Sequence, residues 1–146
     1  MPVEPVPGKY STVTPYLVVS DLPKLIDFIQ DVFGAEVTES IKSPDGTIMH
    51  AEARIGNSMI MMGSAPERNN PFPTMLYVYT EDTDTCYRRA LEAGATSVME
   101  PSDQFYGDRN AGVQDAFGNQ WWIATHIEDV SQEEMIRRNA ERLGKV

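Results

Sequence analysis

Cysteine, histidine and tryptophan are scarce in this chain: one, two and two among 146 residues. A lone Cys86 excludes an intrachain disulfide, and with it the stapled small domains of oxidising compartments; a reducing, cytoplasmic setting is the expectation. Basic clusters are missing too. Twelve Lys and Arg stand against 22 Asp and Glu, a net charge of −10, which argues against a nucleic-acid partner because phosphate binding needs clustered cations. The acidity reads as a solubility device. No apolar run approaches the roughly 18–20 residues of a membrane span. Residues 1–13, with Pro2, Pro5, Pro7 and Gly8, lack the apolar centre of a signal peptide. What these absences leave is a soluble chain of single-domain length, long enough to bury a core.

What is present is pattern. The Pro-rich start, residues 1–11, predicts an extended arm. Residues 14–19 read as a strand with Leu17 and Val19 on one face and Tyr16 and Val18 on the other. Ser20 or Asp21 caps a helix in which Leu22, Leu25, Ile26, Ile29 and Phe33 recur at helical spacing until Gly34 stops it. A strand follows near residues 35–41, then a Pro44-Asp45-Gly46 turn. In residues 47–55, Met49, Ala51, Ala53 and Ile55 alternate with His50, Glu52 and Arg54. Gly56-Asn57 turns the chain into a fourth strand, 58–62. Residues 64–73 are a linker by composition.

The order then repeats. Residues 75–79 predict a strand, and residues 82–93 a helix with Cys86, Ala90 and Leu91 inward. Strands follow near 96–99 and around 112–114, and a last one at 120–125. The stretch from Asp103 to His126 reads as a loop, a turn and the final strand. Gly34-Ala35 answers Gly94-Ala95, and Gly56-Asn57 answers Gly118-Asn119. Ser131-Gln132-Glu133-Glu134 is a capping box opening a charged helix, 131–144, with Ile136, Ala140 and Leu143 as a narrow apolar stripe.

Two β-α-β-β-β units carrying Thr14-Pro15-Tyr16-Leu17-Val18-Val19-Ser20-Asp21, Val32-Phe33-Gly34-Ala35-Glu36, Met49-His50-Ala51-Glu52, Ala93-Gly94-Ala95, Asp103 to Arg109, Asp115-Ala116-Phe117-Gly118 and Trp121 resemble the vicinal oxygen chelate superfamily. This is the glyoxalase, bleomycin-resistance and dioxygenase group, and the wording is most similar to its PhnB-like branch. The resemblance implies an α+β fold: one domain over residues 1–146, with units at 12–63 and 74–127 forming curved mixed sheets with helices outside and a concave binding cleft. It also implies a homodimer. It does not fix a reaction, since the fold hosts many.

Metal-dependent members hold a divalent ion on the first and fourth strands of each unit. Here the resemblance puts Thr14, Ile60 or Met61, Met75 and Trp122 at those positions, none of them a hard-metal ligand. No metal and no cofactor is therefore expected. The expected cleft is apolar and aromatic: Tyr16, Met61, Met62, Met75, Tyr77, Tyr79 and Trp122, with Phe105, Tyr106 and Arg109 from the neighbouring loop. Arg109 and Asp108 read as a clamp on that loop, or Arg109 as a grip on an anionic ligand. His50 and Glu52, two apart on one strand face, are the candidate acid-base pair, against a purely structural pairing. The leading expectation is a metal-free binder of a small hydrophobic or aromatic molecule. The alternatives are an enzyme of this fold, using His50 and Glu52 or a metal at a displaced site, and a structural or regulatory dimer whose own side chains fill the cleft.

Overall fold

A computed structural model describes residues 3–65 and 71–144. Alternation of apolar side chains at period two, broken by a capped amphipathic helix, produces the same run of elements twice. The first unit contains β1 (Tyr16–Val19), α1 (Leu22–Phe33), β2 (Glu36–Lys42), β3 (Ile48–Ile55) and β4 (Ser58–Ser64). The second contains β5 (Met75–Tyr79), α2 (Thr83–Glu92), β6 (Thr96–Asp103), β7 (Asp108–Gln114) and β8 (Gln120–His126), followed by α3 (Gln132–Arg142). Residues 116–119, the turn between β7 and β8, group with the first unit. Of the 64–73 connector, residues 66–70 lie outside the described residues. Among the described residues no helix is long and apolar enough to cross a membrane.

Each unit is a four-stranded mixed sheet, ordered β1-β4-β3-β2 and β5-β8-β7-β6. The first strand lies parallel to the fourth, and the other pairings are antiparallel. A β-α-β-β-β chain reaches this order because the helix carries β1 past the hairpins so that β4 returns beside it. This is an α+β architecture.

Local chemistry starts and stops the helices where the sequence says it should. The Asp21 side chain accepts from the Lys24 backbone N–H at 3.2 Å, and Gly34 ends α1 at φ 64°, a left-handed conformation that glycine adopts without a Cβ penalty. Asp82 caps α2 by accepting from the Thr85 N–H at 3.1 Å. Ser131 caps α3 through the Glu134 N–H at 3.2 Å. Glu134 directs its carboxylate to Arg137 and Arg138.

One face of each sheet is sealed by its helix. In the first unit Leu17, Val19, Ala51, Ala53, Ile60 and Met62 are buried with Leu22, Leu25, Ile26 and Ile29 of α1. In the second, Ala111, Val113, Trp121 and Ile123 are buried with Cys86, Tyr87 and Ala90 of α2. Trp121 is fully enclosed and donates its indole N–H to Asp115 at 2.9 Å, the partner a buried indole requires.

Several expectations are corrected. Leu91 is 37% exposed rather than inward, because α2 is short and Cys86, Tyr87 and Ala90 already cover the sheet. β6 runs on to Asp103 and β7 begins at Asp108, so residues predicted as loop are strand, joined by a tight connection over 104–107. The arm bends rather than extends throughout: the Tyr10 N–H donates to the Pro7 carbonyl at 3.0 Å. The α3 stripe is open, with Ile136 and Leu143 exposed. Polar contacts hold this helix instead: Arg138 bonds Glu128 and the Phe105 carbonyl, and the Arg142 guanidinium lies 5.0 Å from the Phe105 ring centroid.

Candidate functional site

Register fixes which side chains share the sheet face that the helix leaves uncovered. In the second unit Tyr77 pairs across to Trp122 and on to Gly112, and Tyr79 to Ala124 and on to Asn110. Met75, Tyr77, Tyr79, Trp122, Asn110 and Asp108 therefore share that face. Met75, Tyr77 and Tyr79 are 65%, 44% and 62% exposed. The Tyr77 and Tyr79 rings meet edge to face, with centroids 5.3 Å apart. Gly112 is what allows the indole of Trp122 to lie across β7, since a Cβ there would meet it at 2.9 Å.

Beside the rings is a polar network. Asp108, 4% exposed, accepts at Oδ2 from the Tyr77 hydroxyl (2.7 Å) and the Tyr79 hydroxyl (3.0 Å). Its Oδ1 pairs with His126 Nδ1 at 2.9 Å, while His126 Nε2 pairs with Asp129 at 2.7 Å. Asn110 donates through Nδ2 to the hydroxyls of Tyr77 (3.1 Å) and Tyr106 (2.6 Å). Its Oδ1 is buried and has no hydrogen-bond partner among the described residues. A buried acceptor left open costs about 1–3 kcal/mol.

The titration directions follow from this geometry. Burial pushes the Asp108 carboxyl up, but bonds from His126, Tyr77 and Tyr79 outweigh it and hold it below the usual value. His126 is raised by its bonds to Asp108 and then Asp129, which favours the imidazolium. The Tyr77 hydroxyl is pushed far up, by burial first and then by its bond to Asp108, so it is a fixed proton donor at neutral pH.

The first unit's uncovered face is built from the equivalent register. Tyr16, Met61, Glu52 and Glu39 form one cross-strand row, and Val18, Gly63, His50 and Ile41 the next. The Tyr16 hydroxyl lies 3.1 Å from His50 Nδ1, and His50 Nε2 lies 3.0 Å from Glu52 Oε2. The same place on the third strand thus serves the first-strand tyrosine in both units, His50 for Tyr16 and Asn110 for Tyr77.

The structure sorts the sequence candidates. His50 and Glu52 are in contact, with Tyr16 as third partner and Met61 in the Tyr16–Glu52 row. Met75, Tyr77, Tyr79 and Trp122 share one face, and Tyr106 joins it through Asn110. Met62 does not belong: it is fully buried against Leu17 on the helix side, since one residue of register flips a side chain to the other face. Ile60 faces the helix for the same reason. Arg109 is also on the helix side, bidentate to Asp84 (Nε at 2.7 Å, Nη2 at 3.0 Å) and bonded to Asp103. Arg109 is thus engaged by Asp84 and Asp103 on the helix side rather than presented to the open face. Phe105 packs edge to face on Tyr106 at 5.2 Å and under Arg142. Asp108, Asn110 and His126 were missed as a group. Alternation carried back from Gly112 would have put Asp108 and Asn110 on the Trp122 face, had Asp108 been read as strand.

A hydroxyl, two thioethers and an indole stand at Thr14, Met61, Met75 and Trp122, and among the described residues no three His, Cys, Asp or Glu side chains converge on a point that could hold an ion. These donors do not fit a hard divalent ion.

Tandem β-α-β-β-β units, each a mixed sheet sealed by a helix on one face and bearing polar and aromatic groups on the other, define the class. The profile of the Glyoxalase/Bleomycin resistance protein/Dioxygenase superfamily matches residues 10–123, and the chain belongs to that superfamily. It is 32% identical over 133 residues to the uncharacterized protein Mb0911c of Mycobacterium bovis, covering 84% of this chain and 88% of that one. Among solved structures it is similar to TioX from Micromonospora sp. ML1, with TM-score 0.69 and 25% identity over 80% of this chain and 99% of that one. A PhnB protein from Bacillus cereus shares the fold, with TM-score 0.64 and 19% identity over 79% and 99% of the two chains.

Proposed function

We propose that the protein binds a small, flat hydrophobic or aromatic molecule without a metal, on the uncovered face of the β5-β8-β7-β6 sheet. The observation that carries this is the open aromatic surface of Tyr77, Tyr79 and Trp122 with Met75 beside it, set around a buried polar network with one acceptor, Asn110 Oδ1, unmatched. Exposed rings offer stacking to a flat ligand, an adaptable methionine widens the range accepted, and few polar groups orient it. Stacking geometry adds about 0.5–1.5 kcal/mol beyond the area buried.

Intrinsic fluorescence tests it. Trp121 is sealed in the core and Trp122 is partly open, so a bound aromatic compound should quench only the second. Trp122→Ala should abolish the quenching and weaken binding, read by calorimetry, about tenfold or more. Binding that survives unchanged in Trp122→Ala and in Tyr77→Ala would sink the proposal. So would stoichiometric Zn, Mn, Ni or Fe in the purified protein.

The Tyr16–His50–Glu52 contacts favour a second reading, an enzyme that moves a proton through His50. His50→Gln would then still bind a compound that the unaltered protein transforms, and no longer transform it. Dimerisation, and residence in the cytoplasm, belong to the same proposal.

A further inference from the structure

We infer that Glu52 anchors a second binding site, on the first unit, for the ammonium group of an alkyl or aryl amine, and that Lys9 of the N-terminal arm is its built-in occupant. Glu52 is 7% exposed. Its Oε2 is bonded to His50, but its Oε1 is buried and accepts no hydrogen bond from the described residues. The nearest cation to that oxygen is the Lys9 ammonium at 3.4 Å, outside the 2.7–2.9 Å of a charge-assisted bond. A buried carboxylate oxygen in this state is costly to leave unmatched, so a better-placed N–H donor has something to gain.

The surroundings of the Lys9 nitrogen are those an ammonium selects. Glu39, next to Glu52 in the cross-strand row, lies 3.5 Å away, and the Tyr10 ring centroid is at 5.2 Å. Two carboxylates and an aromatic face make a cation cage. Yet the occupant is loosely held. Lys9 is a long, part-exposed side chain on a coil, and such a pair contributes about 0–1 kcal/mol. Beside the cage, Tyr16 and Met61 share the Glu52 row and offer an apolar wall. Gly63 keeps that wall flat, because a Cβ there would meet the Tyr16 hydroxyl at 2.8 Å. A ligand with a hydrocarbon body and an ammonium head matches both parts, and the chain's charge of −10 draws cations toward it.

The test is a titration with benzylamine, protonated at neutral pH, followed through the His50 imidazole signals by NMR. Benzyl alcohol serves as the uncharged control. Lys9→Ala should bind benzylammonium about tenfold more tightly than the unaltered protein, whereas Lys9→Arg, which keeps a cation in the cage, should not. Adding Glu52→Gln to Lys9→Ala should return the affinity to that of the unaltered protein or below. Backbone spectra of each variant check that the fold is kept, and Lys9→Ala, on an exposed arm, tests the occupant without touching the sheet. Equal affinity in Lys9→Ala and the unaltered protein, equal binding of benzyl alcohol, or no saturable shift in any variant would overturn the inference.

Discussion

Asp108 gathers three hydrogen bonds on one buried carboxylate, and its partner His126 is caught between two carboxylates. The two titrations act in opposite senses. His126 has a folded pKa above its ordinary 6.5, so its contribution to stability is complete below that value and is lost as pH rises through the folded pKa. Asp108 has a folded pKa below its ordinary 3.8, so its contribution is present above that value and is lost as pH falls through the folded pKa. The pair is therefore at full strength between about pH 4 and 6.5. Thermal midpoints of His126→Gln and the unaltered protein should differ most in that window and converge as pH is raised beyond it. A difference constant from pH 5 to 9 would show that the imidazolium is not what Asp108 holds. The sequence did not disclose this pair, because eighteen residues separate the partners and only the pairing of β7 with β8 sets them opposite. His50 and Glu52, two apart on one strand, were visible at once.

At the scale of the element, the β6–β7 connection is held against the segment after β8. The Gly107 carbonyl accepts from the N–H groups of Ile127 (2.9 Å) and Glu128 (3.1 Å), and a Cβ on Gly107 would lie 2.2 Å from the Glu128 carbonyl oxygen. Gly107 also has φ near 100°, a conformation costing other residues about 1–3 kcal/mol. Backbone meets backbone here, so nothing flexible can give way. Gly107→Ala should lose about 2 kcal/mol or more, measured by urea denaturation. It should also shift the signals of Asp108 and His126 on either side of the contact. A loss under about 0.5 kcal/mol would mean that the connection opens freely. The strength of this lock explains why β7 extends to Asp108, although Gly107-Asp108-Arg109-Asn110 has the composition of a turn. Alternation is hidden there because the polar residues on both faces are satisfied by tertiary partners, Asp84 for Arg109 on one side and the tyrosines on the other.

The chain is strongly acidic and, among the described residues, leaves apolar side chains open on the aromatic face of the second sheet and on the Ile136 and Leu143 stripe of α3. A homodimer is the expected use of part of this surface, as self-association would remove apolar area from water at about 25 cal/mol per Å². Sedimentation velocity should give twice the chain mass, and Ile136→Glu should shift the distribution toward monomer if α3 takes part. A monomer at high concentration and moderate salt would rule the dimer out, since screening removes the opposing charge repulsion.

The sequence by itself determined the repeated β-α-β-β-β order, a cap at Ser20 or Asp21, the capping box at Ser131, and the faces of β1 and β3, because these depend on spacing within a few residues of chain; the α+β class followed from the family resemblance those landmarks carry. The resemblance put Thr14, Ile60 or Met61, Met75 and Trp122 at the family's ligand positions, and none of these side chains is a hard-metal donor. Only the tertiary structure decided which residues at strand ends belong to which face. It moved Met62 and Arg109 to the helix side, brought Asp108, Asn110 and His126 to the tyrosines, and set Lys9 over Glu52. The contacts of Arg109, His126 and Lys9 join residues far apart in the chain, about which a pattern of period two or 3.6 carries no information, whereas the faces of Met62, Asp108 and Asn110 follow from alternation once the extent of their strands is known.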